Sequence, residues 1–300
     1  MTPMAIGICS GLLAALMQSC SYIGGRYFLQ RYGNSLQLTV ASLVVVGLIA
    51  LLAAPFFLLT KNLFTWHMAG SILLTDAGLV VGHWGFFSAQ KYIESSRIAS
   101  LMGLKIVIIA LLAFVCFGSR FSAVQLAAMA VAVVAGVLIN YQKGRLNWSG
   151  MGYIFLALIG YCFSDLGVQM VVENMQAENT IAGGVSGFIV NYIVSGVGAA
   201  LLMKKCRIER KMLRGAIPQA LCWVVSMLGL YVCFGIVGAA FGNVLQASRG
   251  VISVLLGVGL SWAGWQALEQ KASASVWLLK GLAAVMMFGA IVLYALNTKG

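Results

Sequence analysis

The chain has 300 residues, of which 61% are hydrophobic and 9% charged, with a formal net charge of +12 and a mean hydropathy of +0.97. Water-soluble chains carry about 25% charged residues, so a soluble globular domain is excluded and the bilayer is the solvent that fits the composition. Nucleic acid is excluded as the target of the positive charge, because the basic residues lie in short breaks between apolar runs and no break can form a soluble basic domain.

A helix crossing the bilayer needs about 20 apolar residues. Such runs predict ten spans, at residues 4–25, 37–59, 66–89, 98–117, 123–141, 150–172, 182–203, 215–235, 238–262 and 277–296. The N-terminal Met1-Thr2-Pro3 lacks the basic region of a cleaved signal peptide, so the first run is expected to be retained. Gln18 and Tyr22 are its polar candidates for substrate contact. Asp76 and His83 fall in the third span seven residues apart, on one face of a helix. Lys105 lies in the fourth span, which only Gly118-Ser119-Arg120-Phe121-Ser122 separates from the fifth. Tyr161 and Asp165 lie in the sixth span, Trp223 and Tyr231 in the eighth, and Gln246 and Arg249 in the ninth. Trp66, Trp148, Trp262, Trp265 and Trp277 mark span ends, where amphipathic rings prefer the headgroup zone.

Orientation follows from counting Lys and Arg in alternate breaks. Fourteen collect on one side, including Lys280 by snorkelling. Only Lys61, Arg120 and Lys299 are on the other, with Lys105 and Arg249 inside spans. The rich side, which includes the Lys204–Arg214 loop, is expected to be cytoplasmic and both termini non-cytoplasmic. The Asn147-Trp148-Ser149 sequon then falls on the cytoplasmic side and carries no meaning for glycosylation.

An internal repeat is visible at an offset of 144. Leu101, Val107, Ile108, Leu111 and Leu112 recur as Leu245, Val251, Ile252, Leu255 and Leu256, with Lys105 opposite Arg249 and Gly85 opposite Gly229. Further on, Gly136 and Tyr141 recur as Gly289 and Tyr294 after nine more residues. Copies of five spans each, residues 1–145 and 146–300, have to sit inverted in the membrane. The expected fold is therefore an all-α integral membrane protein, two inverted five-helix repeats around a central cavity, a common construction among secondary transporters.

The segment Ala99–Lys105 through Arg120-Phe121-Ser122, with Gln125 and Gly136-Val137-Leu138-Ile139, resembles the fourth and fifth helices of the EamA-type drug/metabolite transporters. Gly238-Ala239-Ala240-Phe241 to Gly264-Trp265 and Glu269 resembles the matching part of their second half. The resemblance implies ten helices around a substrate cavity and export of amino acids or other metabolites. It departs at Ser119, where the family often has Glu. It also implies cytoplasmic termini, against the charge count, which stands here because it rests on this chain's own residues.

A charge at the bilayer centre costs about 3 kcal/mol on insertion scales, so the intramembrane charges face a cavity or a partner. Depth counting places Asp165 level with Arg249, as a pair holding a zwitterion's ends or locking the halves, and His83 level with Lys105, a structural charge. Asp76 has no obvious partner at its depth, which makes it the better proton carrier, with His83 as relay. Gly78 and Gly82 read as helix-contact positions. The seven cysteines read as small buried hydrophobes, not a metal or disulfide framework. The sequence carries no phosphate-binding loop, and no cofactor or metal is expected.

The chain therefore reads as a non-enzymatic secondary transporter or facilitator of the inner cell membrane. Its partners are a small amphipathic metabolite, amino acids first and drugs second, the lipid bilayer, and protons. A functional monomer is expected, because the repeat already supplies two halves. The alternatives are a non-transporting membrane partner protein and, less favoured, a lipid-modifying enzyme.

Overall fold

A computed structural model describes residues 2–58, 66–108, 122–142, 145–146, 148–175, 177–264 and 274–296. In chain order the helices are α1 (Pro3–Tyr32), α2 (Ser35–Phe57), α3 (Trp66–Ala89), α4 (Ser95–Leu101), α5 (Ala123–Asn140), α6 (Met151–Asn174), α7 (Thr180–Leu202), α8 (Arg210–Ala247), α9 (Arg249–Trp262) and α10 (Ala274–Leu296). A 3₁₀ turn, Met102–Leu104, follows α4 and leads back into helix at Lys105. A hairpin of two-residue strands, β1 (Tyr141–Gln142) and β2 (Arg145–Leu146), joins α5 to α6. Most of the second part of the predicted fourth span lies outside the described residues. So do Lys61, Ser119, Arg120, Trp265, Glu269, Lys271 and Lys299.

Local chemistry sets the ends of these helices. Gly33, at φ 72°, closes α1 in the left-handed conformation, and the Asn34 side chain accepts from the Leu36 and Gln37 amides to open α2. Asn179 caps α7 in the same way through the Ala182 amide at 2.9 Å. The break expected between residues 235 and 238 is a kink inside α8. Gly238 has φ 77° and ψ 160°, a backbone geometry that side chains with a Cβ rarely adopt. Among the described residues eight helical stretches are long and apolar enough to cross a membrane, Arg210–Ala239 and Phe241–Trp262 counting separately, and Ala123–Leu138 is a shorter apolar helix.

The exterior is apolar and much of the interior is small or polar, as a bilayer solvent requires. Leu52, Leu73, Leu201 and Leu255 are exposed, whereas Ser21, Ser71, Thr75, Ser226 and Gln219 are buried. Several buried hydroxyls bond to carbonyls, as Thr75 does to Ser71 at 2.8 Å and Ser226 to Ala14 at 2.8 Å. Trp66, Trp148 and Trp262 are exposed at helix ends as expected, while Trp84 is half-exposed and Trp223 fully buried. The cysteine reading holds only in part. The described cysteines are all free, but Cys162 and Cys233 alone among them are buried, and Cys9 is exposed.

The most extensive helix contacts are α1 on α8, α3 on α6, α2 on α7 and α5 on α10, followed by α2 and α7 on α8 and then α4 on α9. Glycines make the tightest of them. Gly78 and Gly82 of α3 lie against Gly160, Tyr161 and Ser164 of α6. A Cβ on Gly85 would meet the Tyr153 carbonyl at 2.7 Å, and one on Gly229 would meet the Ser10 carbonyl at 2.8 Å. The basic breaks gather at one end of the bundle, where the Tyr32 hydroxyl donates to the Lys211 carbonyl, Gln37 to the Cys206 carbonyl, and Gly150 abuts Tyr92.

Backbone carbonyls cannot yield to an inserted methyl as a flexible side chain can. Gly85→Ala is expected to destabilise by about 1–3 kcal/mol, while Gly281→Ala, which meets nothing within 4 Å, changes little. Thermal unfolding of the two variants in the same detergent measures the difference, and equal midpoints would refute the α3–α6 packing.

Candidate functional site

The polar residues at mid-depth converge on one central cavity. Gln18 reaches it from α1, Lys105 from just beyond the 3₁₀ turn, and Tyr161, Ser164 and Asp165 from α6. Trp223 and Gln246 enter from α8 and Arg249 from the start of α9. Leu79, Met227 and Leu230 complete an apolar side. The free volume is about 10 Å³, room for about one water.

Six of the eight residues expected to bind substrate therefore share this cavity: Gln18, Tyr161, Asp165, Trp223, Gln246 and Arg249. Tyr22 and Tyr231 do not line it. Both are fully buried, Tyr22 with its ring 4.0 Å from that of Phe86, and Tyr231 edge-on to Phe188. Ser164, Leu79, Met227 and Leu230 were not singled out by the sequence, because a Ser or an aliphatic residue inside an apolar span carries no signal of its own.

The expected pairings change. Asp165 forms its ion pair with Lys105, not with Arg249. The reason is depth. Helix α4 starts at Ser95, three residues before the predicted span, so Lys105 lies ten residues in, and the 3₁₀ turn adds rise. Lys105 thus reaches the level of Asp165 and joins the site. Arg249 donates through a terminal guanidinium nitrogen to Gln18 Oε1 at 2.9 Å, and its Nε has no partner. Among the described residues the Gln246 amide and the Tyr161 hydroxyl, both buried, also lack partners.

Among the described residues no hydrogen bond or ion pair joins His83 to Lys105, which pairs with Asp165. The His83 ring centroid lies 4.4 Å from that of Trp223 and 5.1 Å from that of Phe87, and among the described residues neither ring nitrogen has a hydrogen-bond partner. Asp76 does have partners, contrary to expectation. It accepts from Asn191 Nδ2 at 2.9 Å and from Ser195 Oγ, both on α7. These donors are neutral, so a search for cations missed them. Trp223 Nε1 is held by the Tyr192 hydroxyl at 2.8 Å, which fixes the indole against the cavity.

Two further features flank this site. At the charge-rich end Lys280 does not snorkel. It is buried, pairs with Glu94, and lies over the Trp277 ring at 4.3 Å. Arg97 also pairs with Glu94, at 3.4 Å. Towards the opposite end, a cavity of about 400 Å³ opens beside the Gly238 kink between Gln169, Val172 and Phe234. Gln169 is one turn beyond Asp165 on α6 and Phe234 one turn beyond Leu230 on α8, so this cavity continues the faces that bound the central one. Among the described residues no group of His, Cys, Asp and Glu could hold a metal ion.

The fold defines a multi-pass, all-helical membrane protein. Residues 5–142, a little under half of the chain, match the model of the EamA-like transporter family, and over these residues the chain is similar to that family. No curated protein matches the chain. A solved structure described only as the crystal structure of a protein is similar over 98% of this chain and 99% of its own, with a TM-score of 0.62 and 14% identity. At that identity the likeness concerns the fold alone.

Removing one partner of a buried ion pair leaves an uncompensated charge and costs about 3–5 kcal/mol, whereas removing both is far milder. Lys105→Met and Asp165→Asn alone are each expected to lower thermal stability in detergent markedly, and the double variant to recover most of the loss. Additive losses would mean that the two side chains are not paired.

Proposed function

We propose that this chain is a secondary transporter or facilitator that carries a small amphipathic metabolite, an amino acid before a drug, out of the cell by alternating access. The substrate site is the central cavity. The observation that carries this reading is the convergence there of Lys105, Asp165 and Arg249, all buried, with an apolar wall of Leu79, Met227 and Leu230. Both sequence halves contribute, as a site between two moving halves requires. The pairing of helices supports the inverted repeat of residues 1–145 and 146–300. Numbering helices within each half, contacts between the halves include one with three, three with one, two with two, four with four and five with five, and also two with three, α2 on α8, whose counterpart α3 on α7 is much weaker. The first five are unchanged when the halves are exchanged.

Asp76 is the proposed proton carrier, because its partners, Asn191 and Ser195, are neutral donors that bond a carboxylate without fixing its charge. His83 is its proposed relay. The charge-rich end is proposed to be cytoplasmic in the inner membrane, with both termini outside, and the protein to work as a monomer without a cofactor.

The small free volume of the central cavity also suits a packed, non-transporting partner protein, and counterflow separates the two readings. Proteoliposomes holding the purified chain are expected to exchange at least one amino acid or amphipathic dye faster than empty vesicles, with Trp223→Ala slower by about tenfold or more. No exchange of any solute would leave the partner-protein reading.

Proton coupling has its own test. Asp76→Asn is expected to abolish accumulation driven by an imposed pH gradient while leaving counterflow intact. Unchanged gradient-driven accumulation would make Asp76 structural.

Orientation is tested by single cysteines at residues 205 and 300 in a background free of native cysteines. An impermeant thiol reagent should label residue 300 in intact cells and not residue 205, and the reverse result would invert the topology.

A further inference from the structure

We propose that the central cavity is a carboxylate-selective site: it takes solutes with an anionic headgroup and an apolar body, and rejects amines. The inference rests on the transporter reading only for the use of the site, since the binding preference is measured without transport.

The charge inventory of the cavity carries it. Three ionisable side chains of opposite kinds line it, Lys105, Asp165 and Arg249. Lys105 and Asp165 are paired and cancel. Arg249 remains, 4% exposed, and among the described residues no carboxylate lies within ion-pair distance of it. Among the described residues its side-chain hydrogen bond in the cavity goes to a neutral acceptor, Gln18 Oε1, and its Nε has no partner. A buried guanidinium held only by an amide oxygen is costly in a membrane interior. An anion arriving from outside removes that cost.

The remaining donors suit a carboxylate. The guanidinium is a planar fork whose N–H groups match the two oxygens of a carboxylate in plane. The Gln246 amide and the Tyr161 hydroxyl, unpartnered in the same wall, offer further N–H and O–H groups. An amine finds only neutral acceptors there, Gln246 Oε1 and the Tyr161 hydroxyl, and no unpaired carboxylate. The one carboxylate lining the cavity, Asp165, is already bound to Lys105, and an ammonium would have to displace that lysine beside an unneutralised arginine. Beyond the headgroup, Leu79, Trp223, Met227 and Leu230 form a surface for an apolar body. The cavity has to widen to admit that body, because its present free volume of about 10 Å³ accommodates no whole metabolite.

The test uses two matched series that share a body and differ in headgroup charge: butyrate, 2-aminobutyrate and propylamine, and 3-phenylpropionate, phenylalanine and 2-phenylethylamine. Binding to the full chain in detergent is read from the thermal-unfolding midpoint and from quenching of tryptophan fluorescence, in a chloride-free buffer. At least one acid is expected to raise the midpoint saturably, its amine to have no effect, and the amino acid to fall between. Arg249→Gln should weaken the acid by about tenfold or more, the usual loss when a charged hydrogen bond is removed, with Arg249→Lys retaining part of the affinity. The same Arg249→Gln protein without ligand should unfold no earlier than the parent, since it loses an uncompensated buried charge. If that variant fails to fold, Gln246→Leu, expected to weaken the acid while leaving the fold intact, decides.

Amines binding as well as acids, acid binding that survives Arg249→Gln, no binding by either acid, or a midpoint shift by chloride alone equal to that of the acids would each overturn the proposal. Counterflow of a neutral or cationic solute that is indifferent to Arg249→Gln would overturn it while leaving the transporter reading in place. Acid binding without movement of any solute would sustain the binding preference and remove the transporter reading.

Discussion

Lys105, Asp165 and Arg249 hold charge at mid-depth in a bundle whose exterior is hydrocarbon-like, and hydrocarbon does not tolerate such groups at its surface. The arrangement of the bundle follows from hiding them. Lys105 meets Asp165 only if the residues after α4 lie against α6, and Arg249 meets Gln18 only if the start of α9 lies against α1. Each contact joins the two halves of the sequence. In a soluble protein the hydrophobic effect would gather the core. In a bilayer, lipid tails compete equally for apolar side chains, so close packing and polar contacts carry more of the specificity.

The close packing comes from the glycines, and they repeat with the chain. Gly85 on α3 seats against Tyr153 and Ala157 of α6, and Gly229 on α8 seats against Ser10 and Ala14 of α1. These two glycines are 144 residues apart, and each presses the third helix of one half onto the first helix of the other. The same offset relates two irregular turns. Leu104 ends the 3₁₀ turn before Lys105, and Ser248, whose amide bonds back three residues to the Leu245 carbonyl, stands before Arg249. In both copies the helix tightens just before it presents its cation. A tightened turn advances the chain further per residue than an α-helix, and this sets the depth at which each cation arrives.

That detail marks where the sequence could be read and where it could not. Span positions were legible because 20-residue apolar runs have a length fixed by the bilayer, and the third span falls on α3 without adjustment. Intramembrane charge is legible as a cost, which singles out Asp165 and Arg249, and Gln18 and Gln246 stand out as polar groups within apolar runs. Pairing was not legible. It depended on a three-residue shift in the start of α4 and on a 3₁₀ turn, and neither leaves a mark in an apolar run. Asp76 failed for another reason. Its partners, Asn191 and Ser195, are neutral, and a neutral polar residue in a span does not announce which neighbour it serves. Tyr22 and Tyr231 lie outside the lining of this cavity, and ring packing against Phe86 and Phe188 uses the same residue type as a binding wall.

The two ends of the bundle are closed to different degrees. At the charge-rich end Lys280 of α10 reaches Glu94 at the head of α4, with Arg97 on the same carboxylate, and all three are buried. This contact again joins the two halves. At the other end the faces of α6 and α8 that bound the central cavity part by one turn and open into about 400 Å³. The backbone there bends at Gly238, where α8 carries its single non-helical residue. Gln169, in the wall of the wide cavity, is one helical turn from Asp165 along α6. If the chain works by alternating access as proposed, the two ends are controlled by different elements: the contact of α10 with α4 at Glu94 and Lys280 at one end, and the α8 kink at the other, with the central cavity and Arg249 between them.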